Sequence, residues 1–138
     1  MRPFAAATSN PLASTSRSRP QNCAVSNGGS SSGGGLNDVW ALDLSGAPEW
    51  IALAPSGTPP AARTGQSAIY DPVRDRMIVF GGSSSGGPMN DVWALDFSNG
   101  PVWTQLAPTG NSPPPRHSHT ANYDPAGDRI LVFGGTGT

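Results

Sequence analysis

The chain has 138 residues, a formal net charge of −1 and only 12% charged residues, a length that suits one small domain. That balance gives no electrostatic case for nucleic acid or an anionic membrane, and no run of about 18 apolar residues exists to span a bilayer. With 18 Gly and 15 Pro the composition argues against helices, whose interiors both residues disfavour, and for short strands joined by tight turns.

Residues 1–27 open the chain with MRPFAAATSNPLASTSRSRP, rich in Ser and Arg and free of acid. No apolar core of signal-peptide length follows the early Arg2, and the segment reads as a disordered leader. Cys23, the single cysteine, has no internal disulfide partner, and its polar surroundings argue against a catalytic thiol. From Gly28 the pattern changes. A Ser/Gly run leads into Asn37-Asp38-Val39-Trp40-Ala41-Leu42-Asp43, and a second tryptophan, Trp50, comes after it.

After a Pro-rich connector, Gln66–Tyr70 reads as a short strand ending in an aromatic. Asp71-Pro72-Val73-Arg74-Asp75 reads as a turn, because Pro presets φ and Asp bonds nearby amides. Met77, Ile78, Val79 and Phe80 form the apolar run expected of a strand buried on both faces. Gly81-Gly82 is expected to end it, with a loose Ser/Gly loop beyond. In Asp91–Phe97 the pleat places Trp93, Leu95 and Phe97 on one face. A fourth strand is expected near Trp103–Leu106, then a connector over Pro108–Pro115.

The chain matches itself when slid by 53 positions. Gly28–Phe80 against Gly81–Phe133 gives 31 identities in 53 without a gap, and such self-similarity marks a repeat architecture. Arg63 falls on Arg116, Tyr70 on Tyr123, and Gly81-Gly82 on Gly134-Gly135. Four strands per repeat with glycines between them is the arithmetic of one propeller blade.

The glycine pairs Gly81-Gly82 and Gly134-Gly135, with Gly28-Gly29 before them, and the aromatic pairs Trp40/Trp50 and Trp93/Trp103 resemble the Kelch repeat closely. Trp stands where the first aromatic is usually Tyr, and the spacing is lengthened at Asn99–Pro101. The resemblance covers Gly28 to Thr138. It implies an all-β fold of Kelch-type propeller blades, each a four-stranded antiparallel sheet, in an incomplete propeller of about two blades' worth. Residues 28–62 are then the end of one blade, 63–107 a full blade and 116–138 the start of the next. The self-match stops at Gly28, so the first two strands of the first blade are expected to be missing.

Few residues suggest chemistry. His117 and His119 would share one face of a strand, where a metal could bridge them, but Thr64 and Gln66 take those places in the preceding repeat and no third ligand is near. Asp71/Asp75 and Asp124/Asp128 bracket tight turns beside Arg76 and Arg129, which suits capping and an ion pair better than catalysis. Asp38/Asp91 and Asp43/Asp96 flank the third strand and are expected to satisfy backbone donors. The tryptophans suit blade-to-blade packing, with stacking on a sugar or peptide as the alternative. The Gly-rich loops 30–35 and 83–88 have no Lys after them and open no helix, which excludes a phosphate loop.

By family habit the resemblance implies a non-catalytic scaffold that binds a protein or a glycan, without a cofactor. The alternative is part of a Kelch-propeller enzyme such as a carbohydrate oxidase, although such enzymes need a cross-linking Cys and the only one here lies in the leader. Two blades cannot close a ring of about four to eight. A piece of a longer chain, a homo-oligomer in which the half blades complete one another, and a lone marginal sheet all remain open.

Overall fold

The computed structural model describes residues 23–137. Ten strands and no helix occur among them, in three sheets that succeed one another along the chain. The first sheet holds β1 (Cys23–Ser31), β2 (Gly34–Asp43) and β3 (Glu49–Leu53) in sequence order. The second has β5 (Ser67–Asp71), β6 (Arg76–Ser84), β7 (Gly87–Asp96) and β8 (Val102–Leu106), with β4 (Ser56–Gly57) added outside β8. The third is the pair β9 (Thr120–Asp124) and β10 (Arg129–Phe133). These are blades of the all-β propeller type, and among the described residues they do not close a ring.

Register repeats with the sequence. Met77 pairs with Leu95 and Val79 with Trp93; Leu95 pairs with Trp103. The same offset relates the first blade, where Leu42 pairs with Trp50. β7 therefore sets Trp93, Leu95 and, just past its end, Phe97 on one face, all buried, with Trp103 beside them. They meet Val39, Ala41 and Leu53 on the facing side of the first blade, and this seam is the hydrophobic core. Period-two alternation in two neighbouring sheets thus produces one shared interior.

Three expectations need correction. The glycine pair does not end β6. Gly81 and Gly82 take φ of 60° and 95°, the pairing shifts register between Phe80 and Gly82, and the strand continues to Ser84 through a bulge that only glycine enters cheaply. The strand then turns back in a tight hairpin, with Ser84 paired to Gly87, rather than a loose loop. The first blade is also fuller than the self-match implies. β1 starts at Cys23, within the segment read as leader, and pairs with β2 from Cys23↔Asp43 to Ser31↔Gly34. Backbone pairing needs no particular side chains, so this strand leaves little trace in the identities. The rest of the expected leader, residues 1–22, lies outside the described residues.

The third correction concerns the rim. Ser56–Gly57, inside the Pro-rich connector, pairs in parallel with Val102 and Trp103. Gly57 has φ of 81°, and a Cβ there would lie 2.5 Å from the Trp103 carbonyl oxygen, so glycine is required for the approach.

Candidate functional site

The hairpins at 31–34 and 84–87 and the connectors leading to Arg63 and Arg116 gather at one end of the blades. The exposed residues of the two hairpins are Ser and Gly, and the group at their base is Arg63. Its side chain is 1% exposed. The guanidinium forks onto Asp91 at 2.7 and 2.8 Å, donates to the Gly81 carbonyl at 2.9 Å, and its Nε donates to the Ala61 carbonyl. Asp91 also accepts the Trp93 indole N–H at 2.6 Å. Burial pushes the Asp91 carboxyl up, but Arg63 and the Trp93 donor outweigh it and hold the group below the usual carboxylate range. Asp91 thus anchors two side chains, and Asp38 accepts the Trp40 indole N–H. Asp43 and Asp96 do accept backbone N–H groups, from Ser45 and Ser98.

Arg63 is also the seam between blades. Its backbone N–H donates to Leu36 of the first blade at 3.0 Å, while its side chain grips the second. Thr64 and Ser83 exchange both backbone bonds at 2.9 and 2.8 Å. Asn37 and Asn90 tie the connectors down, donating to the Pro60 and Pro113 carbonyls. Arg116 repeats half of the Arg63 arrangement: Nε donates to the Pro114 carbonyl and Nη1 to the Gly134 carbonyl, with no carboxylate on it among the described residues.

The two histidines part company. Ser118, between them, has φ of 58°, which breaks the pleat that would align their side chains. His119 is buried, stands edge-on to Phe80, and lies 2.8 Å from the Ser67 hydroxyl. His117 contacts the Ser118 hydroxyl. No group of three or more His, Cys, Asp or Glu that could hold a metal occurs among the described residues.

The opposite end carries the turns. Asp71 accepts the Val73 and Arg74 amides and bonds the Arg76 and Arg74 guanidinia. Asp124 accepts the Ala126 and Gly127 amides and pairs with Arg129 at 2.8 Å. Asp75 and Asp128 sit at φ of 48° and 45° and accept the Tyr70 and Tyr123 hydroxyls at 2.7 Å. Arg74 crosses to the third sheet, forking onto Asp128 at 3.0 and 2.7 Å. That fork, with the Tyr123 hydroxyl, lowers Asp128 to about 2. The carboxylate in turn pushes the Tyr123 phenol up to about 12.

The four tryptophans divide by blade. Trp93 and Trp103 are buried, whereas Trp40 and Trp50 are 41% and 59% exposed. Read from residues alone, the two pairs share one role; which blade has a neighbour in front of it separates them.

Comparison with known proteins agrees with this architecture. The KLHDC2/KLHL20/DRC7 Kelch-repeats domain model matches residues 20–138. The putative adagio-like protein 2 of Oryza sativa subsp. japonica is 37% identical over 127 residues, covering 81% of this chain and 20% of that protein. Kelch domain-containing protein 10 of Rattus norvegicus is 34% identical over 108 residues, covering 70% of this chain and 24% of its own length. The flagellar outer-arm dynein alpha chain of Chlamydomonas reinhardtii is 36% identical over 108 residues, 74% of this chain and 2% of the dynein. The chain thus spans a quarter or less of each relative's length. Its two-blade register, the glycine pairs and the family match together place the chain in the Kelch-repeat family.

Proposed function

We propose that the chain is a non-catalytic interaction scaffold that binds a polypeptide partner across the hairpin end of its blades. The observation that carries this reading is the buried Arg63–Asp91–Trp93 arrangement beneath two short, hydroxyl-bearing hairpins. Backbone and Ser groups held on a rigid base lose little entropy on binding. Kelch-repeat domains typically serve as interaction scaffolds, which supports the reading by analogy. Peptide selection against the folded chain tests it. Selected peptides should lose binding to Ser85→Trp, in the hairpin, and keep it with Val73→Trp, at the opposite end. Equal effects of the two changes would refute the assignment, and selective retention on a glycan array would replace the peptide with a sugar.

A second reading, self-association, is favoured by the exposed apolar groups at both ends of the blade series. Trp40, Leu44 and Trp50 lie uncovered on the first blade, and Leu131 and Phe133 on the third sheet. Sedimentation of the purified chain tests this reading separately.

A further inference from the structure

The tripeptide Ser-Asn-Gly occurs twice, at 26–28 and 98–100, and the fold treats its two copies differently. In Asn-Gly the asparagine amide is open to attack by its own chain, because glycine puts no side chain in the way of the following backbone nitrogen. Attack requires the two atoms to reach bonding geometry, so a rigid or crowded backbone suppresses it. In the first copy Asn27 pairs with Val39 inside β1. Gly28 follows at the bulge, where the Gln66 side chain and the Leu36 carbonyl stand against the position of a Cβ.

The second copy lies in the loop between β7 and β8. The base of that loop is pinned, by the Phe97 amide on the Asp75 carbonyl at 3.0 Å and by Ser98 on Asp96. Its tip is not. Asn99 is exposed, and Gly100 has φ of 95° with nothing within 4 Å of its would-be Cβ. The Gly100 amide reaches the Phe97 carbonyl only at 3.4 Å, beyond the usual length of an N–H···O bond. A groove of about 350 Å³ opens beside Asn99, bounded by Ala52, Ala54 and Ser56, and brings water to the amide. The first repeat has Gly46-Ala47-Pro48 in this loop, with no amide to attack. Just past the loop, the Pro101 carbonyl accepts the Ser56 N–H at 3.0 Å, and Val102 and Trp103 pair with Ser56 and Gly57. These contacts hold β4, the strap from the first blade, on the outer edge of the second.

We propose that Asn99-Gly100 is a self-modifying site whose rearranged product loosens β4 from β8. The Gly100 nitrogen gives its proton to solvent and bonds to the Asn99 side-chain carbonyl carbon. The amide nitrogen leaves as ammonia, taking a proton back from solvent, and water opens the cyclic imide that remains. Each conversion consumes one water and releases one ammonia, with no oxidant or cofactor. Opening at the side-chain carbonyl gives aspartate, which adds one negative charge to a chain of net charge −1. Opening at the main-chain carbonyl gives isoaspartate, in which the backbone runs through the former side chain and is longer by one methylene. That carbon enters directly before Gly100-Pro101 and moves the Pro101 carbonyl away from Ser56. The outer edge of β8 is then open to pair with another strand.

Incubation of the full chain in mildly alkaline buffer, followed by digestion and mass spectrometry, tests the site. Asn99 should convert at least about tenfold faster than Asn27 in the folded chain, since poor alignment costs that much or more. In denaturant the two rates should approach each other. Equal rates in the folded chain, or a faster Asn27, overturn the proposal. The isoaspartyl fraction, separated by chromatography and identified by carboxyl methylation, should show faster hydrogen exchange at the Ser56 amide, with β6 unchanged as the mark of an intact fold. Asn99→Asp carries the charge without the longer backbone and should keep its Ser56 protection. Unchanged Ser56 exchange in the isoaspartyl fraction overturns the loosening of β4. Equal loss of protection in Asn99→Asp overturns the role of the lengthened backbone.

Discussion

Phe80 and His119 meet edge to face, with ring centroids 5.0 Å apart and planes at 65°, across the gap between the second blade and the third sheet. The contact joins residues from two repeats and gives His119 a role that Gln66, one repeat earlier, cannot fill with an aromatic ring. Phe80→Ala should cost roughly 3–5 kcal/mol, as for a buried aromatic. His119→Ala should cost about 1–2 kcal/mol, from one ring contact and one hydrogen bond. Denaturant midpoints of the two variants give the comparison.

The same histidine predicts a pH dependence. Burial, then the nearby Arg116 charge, lowers its pKa below the ordinary value of 6.5. A lowered histidine pKa means the unfolded chain binds the extra proton first. Stability from this group is therefore complete above about pH 6.5 and declines as pH falls toward the folded value. His119→Gln should flatten that part of a stability-against-pH curve.

Arg63 and Arg116 occupy equivalent places with unequal partners. Arg63→Ala leaves Asp91 half-buried beside Trp93 without its counter-ion, and should cost roughly 3–5 kcal/mol. Arg116→Ala breaks bonds to exposed carbonyls and should cost less than about 1 kcal/mol in the monomer. Thermal or chemical unfolding of both variants checks the ratio, which matters more than either value.

Glycine substitutions should separate backbone strain from crowding. Gly81 and Gly134 share a left-handed φ, of 60° and 71°. A Cβ at Gly81 would lie 2.7 Å from the Arg116 carbonyl oxygen, and one at Gly134 would meet nothing within 4 Å. Gly134→Ala should cost about 1–2 kcal/mol from φ alone. Gly81→Ala should cost roughly 2–4 kcal/mol, since the carbonyl must also move. Chemical denaturation of the two alanine variants measures the difference.

The Tyr123 phenol should titrate near 12 because Asp128 accepts its hydrogen bond. Asp128→Asn should bring the titration back toward the ordinary value of about 10. Ultraviolet difference titration in a Tyr70→Phe background isolates the signal. The Arg74–Asp128 fork tracks the depressed carboxyl: it is complete above about pH 4 and is lost as pH falls toward 2.

Most of the strand order was legible because it rests on alternation, apolar runs and a repeat, all local signals. The Tyr123–Asp128 and Asp71–Arg76 turns were legible for the same reason. The features that escaped depend on partners far along the chain. Arg63 reads as one more polar residue until Asp91 and Gly81 fold around it. Cys23–Asn27 carries no strand signature, and its pairing is dictated by the neighbouring β2. The split between Trp40 and Trp93 cannot be read from identical flanking residues, since only the packing of one blade on another distinguishes them.

The short strand Ser56–Gly57 has a consequence for how such a molecule can grow. Lying outside β8, it occupies backbone groups that would otherwise template another sheet along the outer rim. Gly110, one repeat after Gly57, already holds φ of 89° with nothing within 4 Å of its would-be Cβ, the bent geometry its counterpart uses. The second blade is thus hemmed by the connector from the blade before it. Sideways fibre growth is blunted at that rim.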